Sequence, residues 1–162
     1  METMLLAVFS DSHGDTARMR DVIRRFRPDC VAFLGDGVRD AEAVRAAFPE
    51  LPFHIVRGNC DGAAPYPDSD VFELDGVRFF AAHGHNHGVN CGVDAFGTSA
   101  LCSGAAYGLY GHTHRALYQD HGRIPLLNPG SVGDARHPTF ALLELTNGDV
   151  TCRILDYEEE IQ

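Results

Sequence analysis

No run of apolar residues approaches the roughly 20 that cross a bilayer. The longest early stretch, Met4 to Phe9 (MLLAVF), is shorter than the hydrophobic region of a secretory leader. It has no basic segment before it and runs directly into SDSHGD. Neither a membrane span nor secretion is expected, and the cytoplasm is the expected location. C-x-x-C pairs are absent. The five cysteines (Cys30, Cys60, Cys91, Cys102, Cys152) are odd in number and scattered, which argues against a disulfide framework and against a thiolate zinc site. Positive charge is scarce, with 13 Lys and Arg against 23 Asp and Glu and a formal net charge of −10. Such a surface repels polyanions at long range, so neither nucleic acid nor an anionic membrane is an expected partner. Internal repeats and low-complexity linkers are missing too. What remains is an ordinary globular composition, 44% apolar and 22% charged, and a single domain over residues 1–162.

The first third alternates strand and helix. Leu5 to Ser10 reads as a buried strand. A helix follows over Asp15 to Phe26, with Met19, Val22, Ile23 and Phe26 on one face and Asp15 or Thr16 as its N-cap. Cys30 to Leu34 is a second buried strand, Asp40 to Phe48 a shorter helix stopped by Pro49, and Phe53 to Val56 a third strand. Two successive βα crossovers imply a parallel sheet with right-handed connections. Beyond a Pro- and Asp-rich loop the pattern changes. DVFEL and VRFFAA flank Asp75-Gly76 as a hairpin, and a short helix is expected over Val93 to Cys102. Strands follow at AYGLY, ALYQD, RIPLL (from Arg123), TFALLEL and DVTCRIL, with Asn147-Gly148 as another tight turn. The second half thus reads as a mixed or antiparallel sheet, and the acidic tail DYEEEIQ as a solvated end. Two sheets packed together with helices outside are expected.

The residues after each apolar run carry the chemistry. The first strand ends in SDSHGD, with Asp11 and His13. The second ends in LGDG, with Asp36, and the third in VRGNCDG, with Asn59 and Asp61. AAHGHNHG supplies His83, His85 and His87, and GHTHR supplies His112 and His114. In open α/β sheets the carboxyl ends of the strands are where ligands bind. Asp11, His13, Asp36, Asn59, His83, His112 and His114 make seven candidate ligands, too many for one catalytic ion with an open position. They suit two ions with four ligands each and one carboxylate shared. Asp36, alone in its loop, is the natural bridge. His112 and His114 would then serve different ions. Imidazole, carboxylate and amide oxygen without sulfur favour Mn²⁺, Fe, Ni²⁺ or Zn²⁺ over Ca²⁺, with Mn²⁺ the first expectation.

The ordered set DSH, GD, GNCD, HGH and GHTH, followed by NPGS at Asn128 to Ser131, resembles the calcineurin-like metallophosphoesterases. The likeness is nearest to the small bacterial and archaeal phosphodiesterases of the YfcE type. It implies a four-layer α/β/β/α sandwich of two mixed sheets with flanking helices and a dimetal centre between the sheets. It also implies one ion on Asp11, His13, Asp36 and His114 and the other on Asp36, Asn59, His83 and His112. Many relatives carry histidine where this chain has Cys60, and that histidine assists departure of the leaving group; a neutral thiol is a poor substitute.

The activity so implied is hydrolysis of a small phosphate ester, expected to be a diester, by in-line attack of a hydroxide bridging two divalent ions. Asp11 and Asp36 do not cancel the charge of two such ions, so the centre can hold a phosphate on an otherwise acidic protein. Proton donors to the leaving group are sought at His85, at Asp61 through water, or at a coordinated water, and Asp61 is also placed to orient Asn59 or nearby backbone. His87 is expected at the surface, and His54, His121 and His137 as structural or exposed. The alternative is a catalytically weak or inactive scaffold like the phosphoesterase-like subunit of the retromer coat, expected to have lost at least one ligand or to bind metal feebly. Specificity would come from the loops at residues 62–69 and 85–93 or from a neighbouring subunit of a homo-oligomer.

Overall fold

The computed structural model describes residues 2–122 and 124–161. Ten strands form two five-stranded mixed sheets. In the first, β1 (Met4–Phe9), β2 (Cys30–Phe33) and β3 (Phe53–Ile55) run parallel, joined by α1 (Ala17–Phe26) and α2 (Val38–Ala47). The second sheet contains β4 (Ser69–Leu74), β5 (Val77–Ala82), β6 (Tyr107–Leu109), β7 (Leu117–His121) and β8 (Ile124–Asn128), in the order β4-β5-β6-β8-β7. Its interior pairs β5·β6 and β6·β8 are parallel, whereas its outer pairs are antiparallel. α3 (Asp94–Cys102) connects β5 to β6. Arg123, expected to begin the strand that is β8, lies outside the described residues, as do Met1 and Gln162.

Alternation along the strands builds the layers. Leu6 and Val8 of β1 face Phe79, Ala81, Leu109 and Leu127 across the gap between the sheets. Ala7 and Phe9, on the other face of β1, pack under Met19, Val22 and Ile23 of α1. Phe80, Ala82 and Leu126 on the outer face of the second sheet meet Phe96 and Ala100 of α3. The result is the four-layer α/β/β/α sandwich. Each large side chain so buried contributes roughly 1.5–3 kcal/mol of transfer free energy.

Two features depart from the sequence reading. The last hairpin, β9 (Thr139–Thr146) and β10 (Asp149–Asp156), does not join the second sheet. It crosses to the first, where β9 pairs antiparallel with β1. The reason is burial on both faces: Phe140 and Leu142 pack under the helices, while Ala141, Leu143 and Leu145 enter the gap between sheets. A nearly continuous apolar run suits a central strand better than an outer one. The acidic tail is the second. Residues Tyr157–Ile161 form a short helix, α4, rather than a solvated end; Tyr157 and Ile161 rest against the α1 side of the core. The Tyr157 hydroxyl donates to Asp21 at 2.6 Å.

The hairpin turns follow the expectation. Asp75 and Gly76 both adopt positive φ (50° and 77°), as do Asn147 and Gly148 (51° and 84°). α2 begins two residues before the expected Asp40, because backbone N–H groups at its start are satisfied from another loop.

Candidate metal centre

Because β1, β2, β3, β5 and β6 share one direction within their sheets, their carboxyl ends deliver loops to a common edge. Asp11 and His13 lie in the β1–α1 loop, Asp36 in the β2–α2 loop, His83 just after β5, and His112 and His114 after β6. Asp11, His13, Asp36, His112 and His114 all hold positive φ, between 44° and 71°. Few residues other than glycine sit there, and the cost is of order 1–3 kcal/mol each in sparsely populated regions. Strain is concentrated where the candidate ligands are.

The fold gathers all six of the Asp and His candidates into two abutting groups. Asp11, His13 and His114 form one, and Asp36, His83 and His112 the other; within each, one ligand atom per residue lies within 4.8 Å of the rest. Asp11 Oδ1 is 3.2 Å from His114 Nε2, 3.7 Å from His13 Nε2 and 3.8 Å from His83 Nε2. Asp36 Oδ2 is 3.3 Å from His83 Nε2, and His83 Nε2 is 3.1 Å from His112 Nδ1. Asp11, Asp36 and His83 are buried, whereas His13 and His114 stand open to solvent. Asn59, the seventh candidate, is exposed. It lies between Gly58 and Cys60, and its amide donates to Cys60 Sγ at 3.5 Å.

Two details fit a cation. The first is Asp11. Its Oδ2 accepts from Ser10 Oγ at 2.5 Å and from the His112 N–H at 3.2 Å. Its Oδ1, equally buried, has no hydrogen-bond partner. A buried carboxylate oxygen without a donor is costly unless positive charge compensates it. The second is the His83 tautomer. His83 Nδ1 is 2.7 Å from the Leu34 carbonyl, so Nδ1–H donates there and Nε2 faces the two carboxylates. That is the second contact typical of a metal-ligating histidine.

Titration follows the same geometry. Burial would raise the Asp36 carboxyl, but the His83 ring and the Cys60 N–H outweigh it and hold the group below the usual carboxylate range. Burial would lower His83, yet its hydrogen bond to Asp36 and the charges of Asp11 and Asp36 carry it above its ordinary value. His112 is lowered, by burial and then by the His83 charge. Burial, followed by the Asp36 charge, pushes the Cys60 thiol up, so it stays a neutral thiol at physiological pH.

The loops are braced by Asp61, which the sequence placed to orient nearby backbone, by the NPGS turn, and by Asp40, which the sequence gave little reason to single out. Asp61 Oδ1 takes the N–H groups of Gly37 and Val38, and its Oδ2 those of Asp36 and Gly58, all within 3.0 Å. Asp40 holds the Asp11–His13 loop by accepting from Ser12 Oγ and the Gly14 N–H. Asn128 donates to the Gly111 carbonyl and Thr113 Oγ1, and Ser131 Oγ donates to the Asp11 carbonyl. NPGS is therefore a clamp on the two neighbouring ligand loops. Glycine is required at Gly58, where a Cβ would lie 2.2 Å from Asp36 Oδ1.

His85 adjoins the second group, its ring centroid 5.5 Å from that of His83 and 6.3 Å from that of His112. Its Nδ1 is buried without a partner, and burial, then the His83 charge, lowers its pKa. His87 departs from the expected surface position: half-buried, it packs edge-on against Phe80 and Phe96. His54 stacks on Phe72 and pairs with Asp70, and His121 pairs with Asp94, both away from the centre. A cavity of 740 Å³ opens beside His13, Asp36 and Cys60. Another hollow, of 540 Å³ between the ends of α1 and α2, contains no candidate ligand.

Comparison with known proteins identifies the family. Residues 4–148 match the family described as the calcineurin-like phosphoesterase superfamily domain. The chain is 27% identical to the probable metallophosphoesterase YsnB of Bacillus subtilis (strain 168), over 94% of this chain and 91% of that protein. A solved structure from Streptococcus pneumoniae TIGR4, described as a predicted phosphoesterase, superposes with a TM-score of 0.83 at 30% identity, covering 100% of this chain and 94% of that one. Two further structures share the fold. Vps29 of Entamoeba histolytica complexed with Zn²⁺ has a TM-score of 0.74 at 22% identity, covering 95% and 99% of the two chains. A structure described as a novel archaeal phosphodiesterase has a TM-score of 0.71 at 21% identity, covering 94% and 100%.

Proposed function

Because the chain belongs to the calcineurin-like phosphoesterase superfamily, we propose that it is a dinuclear metal-dependent phosphodiesterase acting on a small phosphate ester. The observation that carries the reading is the buried, unpartnered Asp11 Oδ1, set among the ring nitrogens of His13, His83 and His114. Asp11, His13, Asp36 and His114 would hold one divalent ion, and Asp36, Asn59, His83 and His112 the other, with Asp36 shared. When bound, such ions, Mn²⁺ by first expectation, supply positive charge for the phosphoryl oxygens and make water a competent nucleophile near neutral pH.

The protein's own groups do the rest. Ser10 and the His112 N–H fix Asp11 Oδ2, so that Oδ1 is presented to the centre. Leu34 fixes the His83 ring. Asp61, with four backbone donors on its two oxygens, acts as a positioning residue for Asp36 rather than as a proton relay. His85, neutral at physiological pH because burial lowers it, contacts the departing or phosphoryl oxygen by hydrogen bonding. Neither the neutral Cys60 thiol nor the unprotonated His85 ring holds a readily donated proton at physiological pH, so departure of the leaving group rests on its own stability.

The cytoplasm suits the free thiols of Cys60, Cys91 and Cys102, all exposed. Among the described residues, no helix is long and apolar enough to cross a membrane. The test is metal analysis of the purified protein together with hydrolysis of bis(para-nitrophenyl) phosphate in Mn²⁺, with Asp36→Ala as control. Two ions per chain and turnover abolished by Asp36→Ala are expected. No bound metal and no turnover with any divalent ion would leave a scaffold, the role that retention of all seven candidate ligands argues against.

A further inference from the structure

The cavity beside the centre says something about the substrate. It holds 740 Å³ and shares His13 and Asp36 with the centre, with Cys60 also on its lining. One wall is the first turn of α2, with Val38, Arg39 and Glu42; the other is the run of small residues from Gly62 to Pro65. That volume exceeds what a bare phosphoryl group needs and is in the range of small-molecule sites.

Its charges sort by what already engages them. Asp61 is saturated by backbone donors, and Asp40 accepts from Ser12 and Gly14. Asp36 belongs to the centre. Arg39 is the only basic side chain on the walls apart from the candidate ligand His13, and among the described residues it has no hydrogen bond or ion pair. Glu42, three residues further along the same helix, lies on the same wall. On a chain of net charge −10, an unpaired arginine at the mouth of a phosphate site is a recognition group.

We propose that this cavity seats one ester arm of the substrate and that Arg39 binds a second anionic group on that arm. This inference rests on the phosphodiesterase reading and narrows it to diesters that carry a further carboxylate or phosphate beyond the scissile phosphate. The Gly62–Pro65 wall, without bulky side chains, leaves room for the body of the arm between that group and the centre.

The test compares bis(para-carboxyphenyl) phosphate with its uncharged isostere bis(para-carbamoylphenyl) phosphate, using the Mn²⁺-loaded full chain. Both are symmetric, so it does not matter which arm occupies the cavity. Wild type is expected to show a KM about threefold or more lower for the carboxylate, a modest gain because the pair is solvent-exposed. Arg39→Ala should erase that preference while leaving kcat/KM for the carbamoyl diester unchanged, and Arg39→Lys should keep part of it. A preference that survives Arg39→Ala, or is absent from wild type, overturns the proposal. So does an equal loss on both substrates, which would put Arg39 on the scissile phosphate. If wild type hydrolyses neither diester, the phosphodiesterase reading fails instead. Calorimetric binding of para-carboxyphenyl and para-carbamoylphenyl phosphate to wild type and Arg39→Ala then decides the anion site alone: equal affinities would refute it. A para-phosphonophenyl arm separates a phosphate preference from a carboxylate one.

Discussion

Asp36 and Asp61 hold each other's loops. The Asp36 N–H donates to Asp61 Oδ2 at 2.8 Å, and the N–H of Cys60, beside Asp61, donates back to Asp36 Oδ1 at 2.8 Å. Gly37, Val38 and Gly58 add three further N–H groups to the same Asp61 carboxylate. The positive φ of Asp36 is thus over-determined from outside its own loop.

Replacing Asp61 by Asn puts an amide N–H₂ where an acceptor is needed, against backbone donors. Partners of this kind typically govern metal affinity by about 10–100-fold. Asp61→Asn should lose Mn²⁺ affinity on that scale and be destabilised by roughly 1–3 kcal/mol. Titration calorimetry and denaturant unfolding measure the two effects. Wild-type affinity in the variant would remove Asp61 from the positioning role.

Gly58→Ala is expected to be as damaging as a change of charge. Its Cβ would meet Asp36 Oδ1 at 2.2 Å and the Asp36 N at 2.7 Å, and both are fixed. Overpacking of this kind costs about 1–3 kcal/mol, and here it also displaces a proposed ligand. A metal stoichiometry unchanged from wild type would show that the loop yields without moving Asp36.

The His83–Asp36 pair gives the protein without metal a defined pH response. His83 is raised above 6.5, so its contribution is complete below that value and is lost as pH rises through the raised value. Asp36 is depressed below 3.8, so its contribution is present above that value and is lost as pH falls through the depressed one. Both contribute fully between 3.8 and 6.5. In the proposed site a bound ion displaces the His83 proton, so Mn²⁺ affinity should rise with pH up to the raised His83 value and level off above it, and the binding enthalpy should depend on the buffer. Affinity and enthalpy indifferent to both would mean that His83 carries no exchangeable proton.

Weak acid assistance predicts a steep dependence of rate on the leaving group. The Cys60 thiol is pushed up and the His85 ring down, each first by burial. Across a series of phenyl phosphodiesters, kcat should fall as the phenol pKa rises, and alkyl diesters should be turned over least. A flat series would require an efficient donor. His85→Ala should then steepen it if that donor is His85.

Much of the fold was legible because the period of the apolar residues reports which face is buried. Met19, Val22 and Ile23 marked the buried face of α1, and Asp75-Gly76 and Asn147-Gly148 marked turns that require positive φ. The destination of β9 was not legible. A strand's composition records that both faces are covered without saying which sheet covers them, and Phe140 finds its neighbours in β1 and α1. The α4 helix was hidden by its charge, since Tyr157 and Ile161 are the residues that pack it against the core.

The sequence by itself determined the chemistry: which oxygens and imidazoles exist, that they follow the ends of apolar runs, and that they exceed what one ion needs. Only the tertiary structure decided that Asp11 presents one oxygen with no donor, that His83 points Nε2 rather than Nδ1 at the carboxylates, and that Asp61 serves the backbone. The physical reason is that ligand identity is a property of single residues. Orientation is imposed by hydrogen bonds from residues distant in the chain, and no local pattern records them.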